Sequence, residues 1–204
     1  MFITLEGPEG SGKTSHCPEL AEAIQRAGYE VVLTREPGGT EIGNEIRSTL
    51  LNLKNTEMHP TTEILLFQAS RAQLVNQVIR PAIAEGKVVI CDRYADSTLA
   101  YQGYGHQTDL DELAQIIGFA TGGLKPDLTV LMDVEIETGL KRRSSDDENW
   151  NRLDAKEVAF HQRVRDGYHK MAAAEPARWV TVDAAQDLEG VLQDLIKVVL
   201  ERLG

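Results

Sequence analysis

Cysteine is scarce in this chain of 204 residues: Cys17 and Cys91 stand far apart and belong to no Cys-x-x-Cys pair. Cys91 ends the apolar run VVIC, so both read as reduced, structural thiols rather than as part of a disulfide framework. No run of about 18 apolar residues is present to span a bilayer. The opening MFITLEG has no basic n-region and no small-residue cleavage site, so nothing marks it for export. The expectation is a soluble, cytoplasmic protein with no membrane partner. Positive charge is also in deficit, with 21 Lys and Arg against 32 Asp and Glu and a net charge of -11. That balance argues against a nucleic-acid polymer as partner, because such binding rests on many Lys and Arg contacts to phosphates. A small anionic ligand needs only a few arginines converging locally, which makes the arginines the residues to follow. Internal repeats and long linkers are missing too, and the length suits one compact domain over residues 1–204.

What is present alternates regularly. Apolar runs suited to buried parallel strands occur at Phe2–Glu6, Val31–Arg35, Val88–Asp92, Leu128–Asp133 and Trp179–Asp183. Helical patterns lie between them: from Lys13 to about Ala27 with a C′ glycine at Gly28, then Glu41–Leu53, Thr61–Ala84, Asp109–Thr121, Glu135–Arg143, Ala155–Ala174 and Leu188–Arg202. The fold class is α/β, a mostly parallel sheet of five strands in a three-layer arrangement with helices on both faces. Apolar periodicity lapses in RRSSDDENWNR, Arg142 to Arg152, which reads as a mobile surface segment between two helices.

The stretch GPEGSGKT follows a strand and opens a helix, the context a phosphate-binding loop requires. Gly7, Gly10 and Gly12 let backbone N–H groups turn inward around phosphate oxygens, with Pro8, Glu9 and Ser11 completing the loop. Lys13 adds a point charge at the β- and γ-phosphates, and the Thr14 hydroxyl is placed for Mg²⁺. Such loops serve switches, motors and metabolic kinases alike, so the acceptor has to be sought elsewhere. Arg35 ends the second strand and Arg93 follows the third, and ligands of an open parallel sheet bind beyond the carboxyl ends of its strands. One such arginine reads as a surface ion pair. Two at the rim that carries the phosphate loop suit a second phosphate, held by guanidinium forks, on a monophosphate acceptor. Asp92, beside Arg93, is read as holding a Mg²⁺ water or orienting the transfer, a catalytic and metal role, with a helix cap as the alternative.

Taken together, FITLEGPEGSGKT, TREPGGTEIGNEIR, LLFQASRAQLV, DRYADSTLAYQGYG, PDLTVLMDV and RLDAKEVAFHQRVRDGYHKMA resemble the thymidylate kinases over nearly the whole chain and in the family's order. The resemblance implies a nucleoside monophosphate kinase variant of the P-loop fold with a lid, a homodimer, and transfer of the ATP γ-phosphoryl group to dTMP. It assigns Arg35 and Arg93 to the dTMP phosphate, Phe67 to stacking on thymine, and Arg71 to the O4 edge of the base. Ser97 and Tyr101 line base and deoxyribose, Gln102 is a further candidate, and Glu9 reaches the 3′-hydroxyl. Some members carry an arginine in the phosphate loop; here Gly10 and Ser11 stand there, so the charge on the group in flight must come from lid residues Arg142, Arg143 or Arg152. Arg152 lies in NRLD, where the family has Asp-Arg-x-Glu, and Asn151 and Asp154 depart from that pattern. The acidic neighbours Asp146, Asp147 and Glu148 leave open which guanidinium reaches the phosphates. Adenine is expected near backbone groups of Asp183–Gln186. A deoxynucleoside kinase or another nucleoside monophosphate kinase is the alternative enzyme, though the former would not need both Arg35 and Arg93 at the rim. A GTPase-like switch lacks its guanine-reading Asn-Lys-x-Asp motif here, and a nucleotide-binding interaction module would show no turnover.

Overall fold

The computed structural model describes residues 1–144 and 156–204. Its five strands have the bounds expected from the apolar runs: β1 Phe2–Glu6, β2 Val31–Arg35, β3 Val88–Asp92, β4 Leu128–Asp133 and β5 Trp179–Asp183. All pair in parallel, in the order β2-β3-β1-β4-β5, with Leu5 opposite Asp92 on one side of β1 and Val130 on the other. β1, β3 and β4 are buried almost throughout, which explains why they read as continuous apolar runs rather than as alternation.

One face of the sheet (Ile3, Leu5, Ile90, Val130, Met132) packs on helix α1 (Lys13–Arg26) through Cys17, Leu20 and Ile24, and on α9 (Leu188–Leu203) through Val191, Leu195 and Val199. The opposite face divides. Phe2, Val89 and Cys91 meet Leu74, Val75 and Ile79, while Leu131 and Trp179 meet Phe160, Val164 and Tyr168 of α8 (Val158–Ala174). Both cysteines are buried and unpaired.

Three helix expectations need correction. α2 spans Glu41–Leu51 rather than reaching Leu53, because Asn52 turns extended (φ -64°, ψ 120°). The stretch expected as one helix over Thr61–Ala84 is α3 (Pro60–Leu74), a π-helical turn at Val75–Ile79, and α4 (Arg80–Ala84). Pro81 has no N–H, and in a regular helix its ring would crowd the carbonyl four residues back; the widened turn lies just before it, which leaves Pro81 in the first turn of α4. After β3, where no helix was expected, α5 (Ala95–Thr98) continues into a second π-helical turn, Leu99–Gly105. Its glycines weaken the local helical signal, but they admit neighbours. A Cβ on Gly103 would lie 2.5 Å from Leu110 of α6 (Leu110–Thr121), and one on Gly105 would lie 2.6 Å from Phe160. α7 spans Ile136–Ser144, so Arg142 and Arg143 sit on its last turn; Arg152 and the rest of the expected lid from residue 145 lie outside the described residues.

Candidate active site

The site gathers where β1 and β3 end. Gly7, Gly10 and Gly12 take φ values of 145°, 71° and 87°, conformations open to glycine, and a side chain at Gly10 would run into the backbone of Gly139. The loop can therefore lie flat against α7 and point its amides toward the start of α1, whose first-turn N–H groups have no acceptor within the helix. Lys13 is buried and spans the loop, donating from Nζ to Gly7 O (3.0 Å), Pro8 O (2.8 Å) and Ser11 Oγ (2.8 Å). Burial, with Arg93 nearby, pushes its ammonium down to about 8, against the opposing pull of Glu9, Asp92 and Glu6.

Thr14 Oγ1 donates to Asp92 Oδ2 at 2.6 Å. A hydroxyl beside a carboxylate at the edge of a phosphate loop is the sparse, hard-oxygen donor set that suits Mg²⁺, which fills its remaining positions with water and phosphate oxygens. No cluster of three or more His, Cys, Asp or Glu suited to an all-protein metal cage occurs among the described residues.

Arg93 occupies the left-handed region (φ 67°), which turns its guanidinium back over the loop. Nη1 donates to Gly7 O (3.0 Å), Ser97 Oγ (3.2 Å) and Tyr168 OH (3.2 Å), and Nη2 to Glu9 Oε1 (3.0 Å) and Tyr101 OH (3.1 Å). Tyr101 OH also donates to Glu9 Oε1 at 2.8 Å. Burial alone would raise the Glu9 carboxyl, but Arg93, Lys13, the Tyr101 hydroxyl and Arg143 outweigh it and hold the group down at about 2. Glu9 is thus ionised at any working pH and tied to the far side of the cavity.

Arg35 and Arg93 line one cavity of about 800 Å³ together with Arg47 and Arg143. Arg47 was not singled out from the sequence. It lies on α2, seven residues beyond the helix-capping Thr40 and so on that cap's face, and its Nη1 donates to Pro37 O at 2.9 Å. The inward periodicity of Thr40, Gly43 and Arg47 was the signal that could have found it. Burial lowers the Arg47 pKa, and so do Arg35, Arg93 and Arg143, with Asp92 opposing. Four guanidinium groups held close together are a built site for anions.

Phe67 and Arg71, one turn apart on α3, both reach this cavity. Arg71 is fully buried and its donors are engaged: Nε and Nη2 with Glu36 Oε2 (2.8 and 2.6 Å), Nη1 with Gln68 Oε1 (2.8 Å) and Thr98 Oγ1 (3.0 Å), and Nη2 with Tyr94 O (3.0 Å). Glu36 Oε1, in the same wall, has no partner. Gln102 is buried and donates to Glu63 Oε1 at 2.8 Å. Ser97 lies beneath Arg93, within 2.6 Å of Glu6 Oε2 and 2.9 Å of Tyr168 OH.

At the other end, Arg142 donates to Ala184 O (2.7 Å) and Ala185 O (3.3 Å), in the loop after β5 where the adenine contacts were expected. Arg143 turns toward the loop instead, close enough to act on both Glu9 and Arg47.

The family model described as Thymidylate kinase matches residues 5–195. The thymidylate kinase of Roseiflexus castenholzii is 50% identical over 98% of this chain and 92% of its own length. That of Thermomicrobium roseum is 50% identical over 98% and 94%. The crystal structure of thymidylate kinase from Ehrlichia chaffeensis superposes with a TM-score of 0.79 at 35% identity, covering 98% of each chain.

Proposed function

Since the chain belongs to the thymidylate kinase family and transfers the γ-phosphoryl group of ATP to dTMP, giving dTDP and ADP, we propose that the cavity at the ends of β1 and β3 brings the two nucleotides together. The loop from Gly7 to Thr14 holds the ATP phosphates through its amides and Lys13, and Arg35, Arg47 and Arg93 hold the dTMP phosphate. The observation that carries this reading is Arg93, whose guanidinium binds Gly7 O of the phosphate loop and Glu9 while lining the acceptor rim. A neutral acceptor such as a deoxynucleoside would bring no phosphate to Arg35, Arg47 and Arg93, whose positive charge exceeds that of the one carboxylate paired with them among the described residues, Glu9, which argues against the alternative kinase.

Thymine stacks on Phe67, with Arg71 held in the pocket wall by Glu36 and exchanging its bond to Gln68 or Thr98 for one to the base edge, while Ser97 and Gln102 line the pocket. Tyr101 packs beside the deoxyribose and shares Glu9 with its 3′-hydroxyl. Thr14 and Asp92 would hold Mg²⁺, which when bound neutralises charge on the β- and γ-phosphates. The dTMP phosphate oxygen needs no base to attack, so these residues act by alignment and by stabilising charge on the group in flight. Arg143 supplies that charge, and Arg142 holds the Ala184–Ala185 backbone against adenine. Replacing each by alanine tests the division. Arg143→Ala lowers kcat by about 100-fold with little change in either KM, whereas Arg142→Ala mainly raises the KM for ATP. The opposite pattern in steady-state assays would exchange their roles.

The working form is a cytoplasmic homodimer. All five strands share one sheet, consistent with a single domain, and no helix among the described residues is long and apolar enough to cross a membrane. α3 and α6 pack on each other yet leave Leu65 (54% exposed) and Phe119 (93% exposed) in solvent, apolar area that a second copy would cover. Phe119→Glu is expected to sediment as a monomer at micromolar concentrations where the parent chain sediments as a dimer. A monomeric parent would refute the assembly.

A further inference from the structure

Glu6 is the last residue of β1, fully buried, and none of the roles above uses it. Its Oε1 accepts from Tyr94 N–H (2.8 Å), and its Oε2 accepts from Ser97 Oγ (2.6 Å) and Tyr168 OH (2.9 Å). Those same two hydroxyl oxygens are acceptors for Arg93 Nη1. Each hydroxyl has one proton. When both protons point at a carboxylate, both oxygens turn lone pairs toward the guanidinium. A protonated or amide group at position 6 can donate to one of them, which turns that hydroxyl's proton away from position 6, toward Arg93 or toward the other hydroxyl 2.9 Å away, and either way breaks the arrangement in which both oxygens face the guanidinium with lone pairs alone.

We propose that ionised Glu6 is a positioning residue for the acceptor site: it takes the Ser97 and Tyr168 protons, so that both oxygens hold Arg93 from beneath and aim it at the acceptor phosphate. This rests on the reading that Arg93 binds that phosphate. The surroundings make the ionised state responsive to pH. Asp96 and Ser97 of α5 face Glu6, as do Arg93 and Tyr94 from the turn before it and Tyr168 from α8. Lys13 of α1, Arg71 of α3 and Cys91 of β3 also feel its charge. Asp96 is itself clamped by Arg178, at 2.6 and 3.1 Å, which fixes its carboxyl group beside Glu6. Burial first, and then Asp96, push Glu6 up to about 7 against Arg93, Ser97 and Tyr168.

The sign of the stability effect follows. A carboxyl raised in the folded chain adds no penalty below its ordinary range. The penalty grows as pH rises and is complete above about 7, where the buried group is ionised. Glu6→Gln removes it, so the Tm advantage of the variant over the parent should widen from pH 5 to pH 8. The same variant should work less well: KM for dTMP rises about tenfold or more, as misaimed groups do, while KM for ATP stays within about twofold.

The decisive measurement is kcat/KM for dTMP from pH 5.5 to 9 in the parent and Glu6→Gln. The second ionisation of the substrate phosphate, near pH 6, enters both profiles equally. The parent should show an additional loss below about pH 7 that the variant lacks. Equal KM values for dTMP, or identical profiles, would overturn the proposal. Should Glu6→Gln not fold, Tyr168→Phe keeps the ring and removes one relay hydroxyl; it should raise KM for dTMP several-fold without affecting ATP, and an unchanged KM would equally overturn it. If Arg93→Ala spares dTMP, the underlying reading fails; if Arg93→Ala damages dTMP use and Glu6→Gln does not, only the role of Glu6 fails.

Discussion

Arg93→Ala is expected to lower kcat/KM for dTMP by about a thousandfold while the affinity for ATP stays within a few-fold. The size of the loss reflects two tasks in one side chain. Arg93 lines the cavity beside Arg35 and Arg47, where we place the acceptor phosphate, and it also neutralises Glu9, whose carboxylate is 16% exposed in a 3.0 Å pair. Removing the guanidinium takes a cation from the acceptor and leaves an anion facing it. The unpaired, mostly buried Glu9 should also lower stability by several kcal/mol, about 3 in the usual range for a broken buried pair. The two losses separate with a second change. Adding Glu9→Gln to Arg93→Ala should recover much of the Tm, because the orphaned charge is gone, yet should not restore dTMP binding. Calorimetric titration with each nucleotide is the direct reading. A larger loss of affinity for ATP than for dTMP would contradict the placement of Arg93 on the acceptor.

Lys13→Ala is expected to reduce kcat by about a thousandfold with KM for dTMP nearly unchanged, measured by coupled ADP release. With Gly10 and Ser11 in the loop instead of an arginine, Lys13 is the loop's only cationic side chain. Its three donors are held at the loop by Gly7 O, Pro8 O and Ser11 Oγ, so the ammonium is already in place and meets a phosphate oxygen by exchanging one of these bonds for it. The depressed ammonium provides a second signature. Below its value of about 8 Lys13 is already charged, and above it the neutral form predominates until phosphate anions draw a proton back. ATP binding at pH 9 should therefore take up protons, visible as a dependence of the binding heat on the ionisation enthalpy of the buffer, and Lys13→Ala should lose that dependence. A kcat within tenfold of the parent would remove Lys13 from the catalytic step.

Much of the fold was legible. The three central strands β1, β3 and β4 are buried almost throughout and appear in the chain as uninterrupted apolar runs, and the partly exposed edge strands β2 and β5 are short apolar runs as well, so all five bounds could be read directly. The phosphate loop was equally plain, since its glycines answer to backbone geometry within eight residues. The segment after β3 was not, although its residues had been singled out. Ser97, Tyr101 and Gln102 ride on α5 and a π-helical turn whose glycines look like loop residues until Leu110 and Phe160 are seen packed against them. Arg47 escaped for a related reason, because an arginine on an exposed-looking helix acquires meaning only when Arg35, Arg93 and Arg143 are found around it.

The sequence by itself determined the elements, their alternation and the phosphate loop, all of which depend on neighbours a few residues away. Tertiary structure alone decided which charges meet. Glu9 reaches Arg93 across 84 residues and Tyr168 reaches Glu6 across 162. Periodicity carries no information over such separations. They close only when parallel strands and packed helices bring their ends to one rim, where burial then sets how strongly each charge acts.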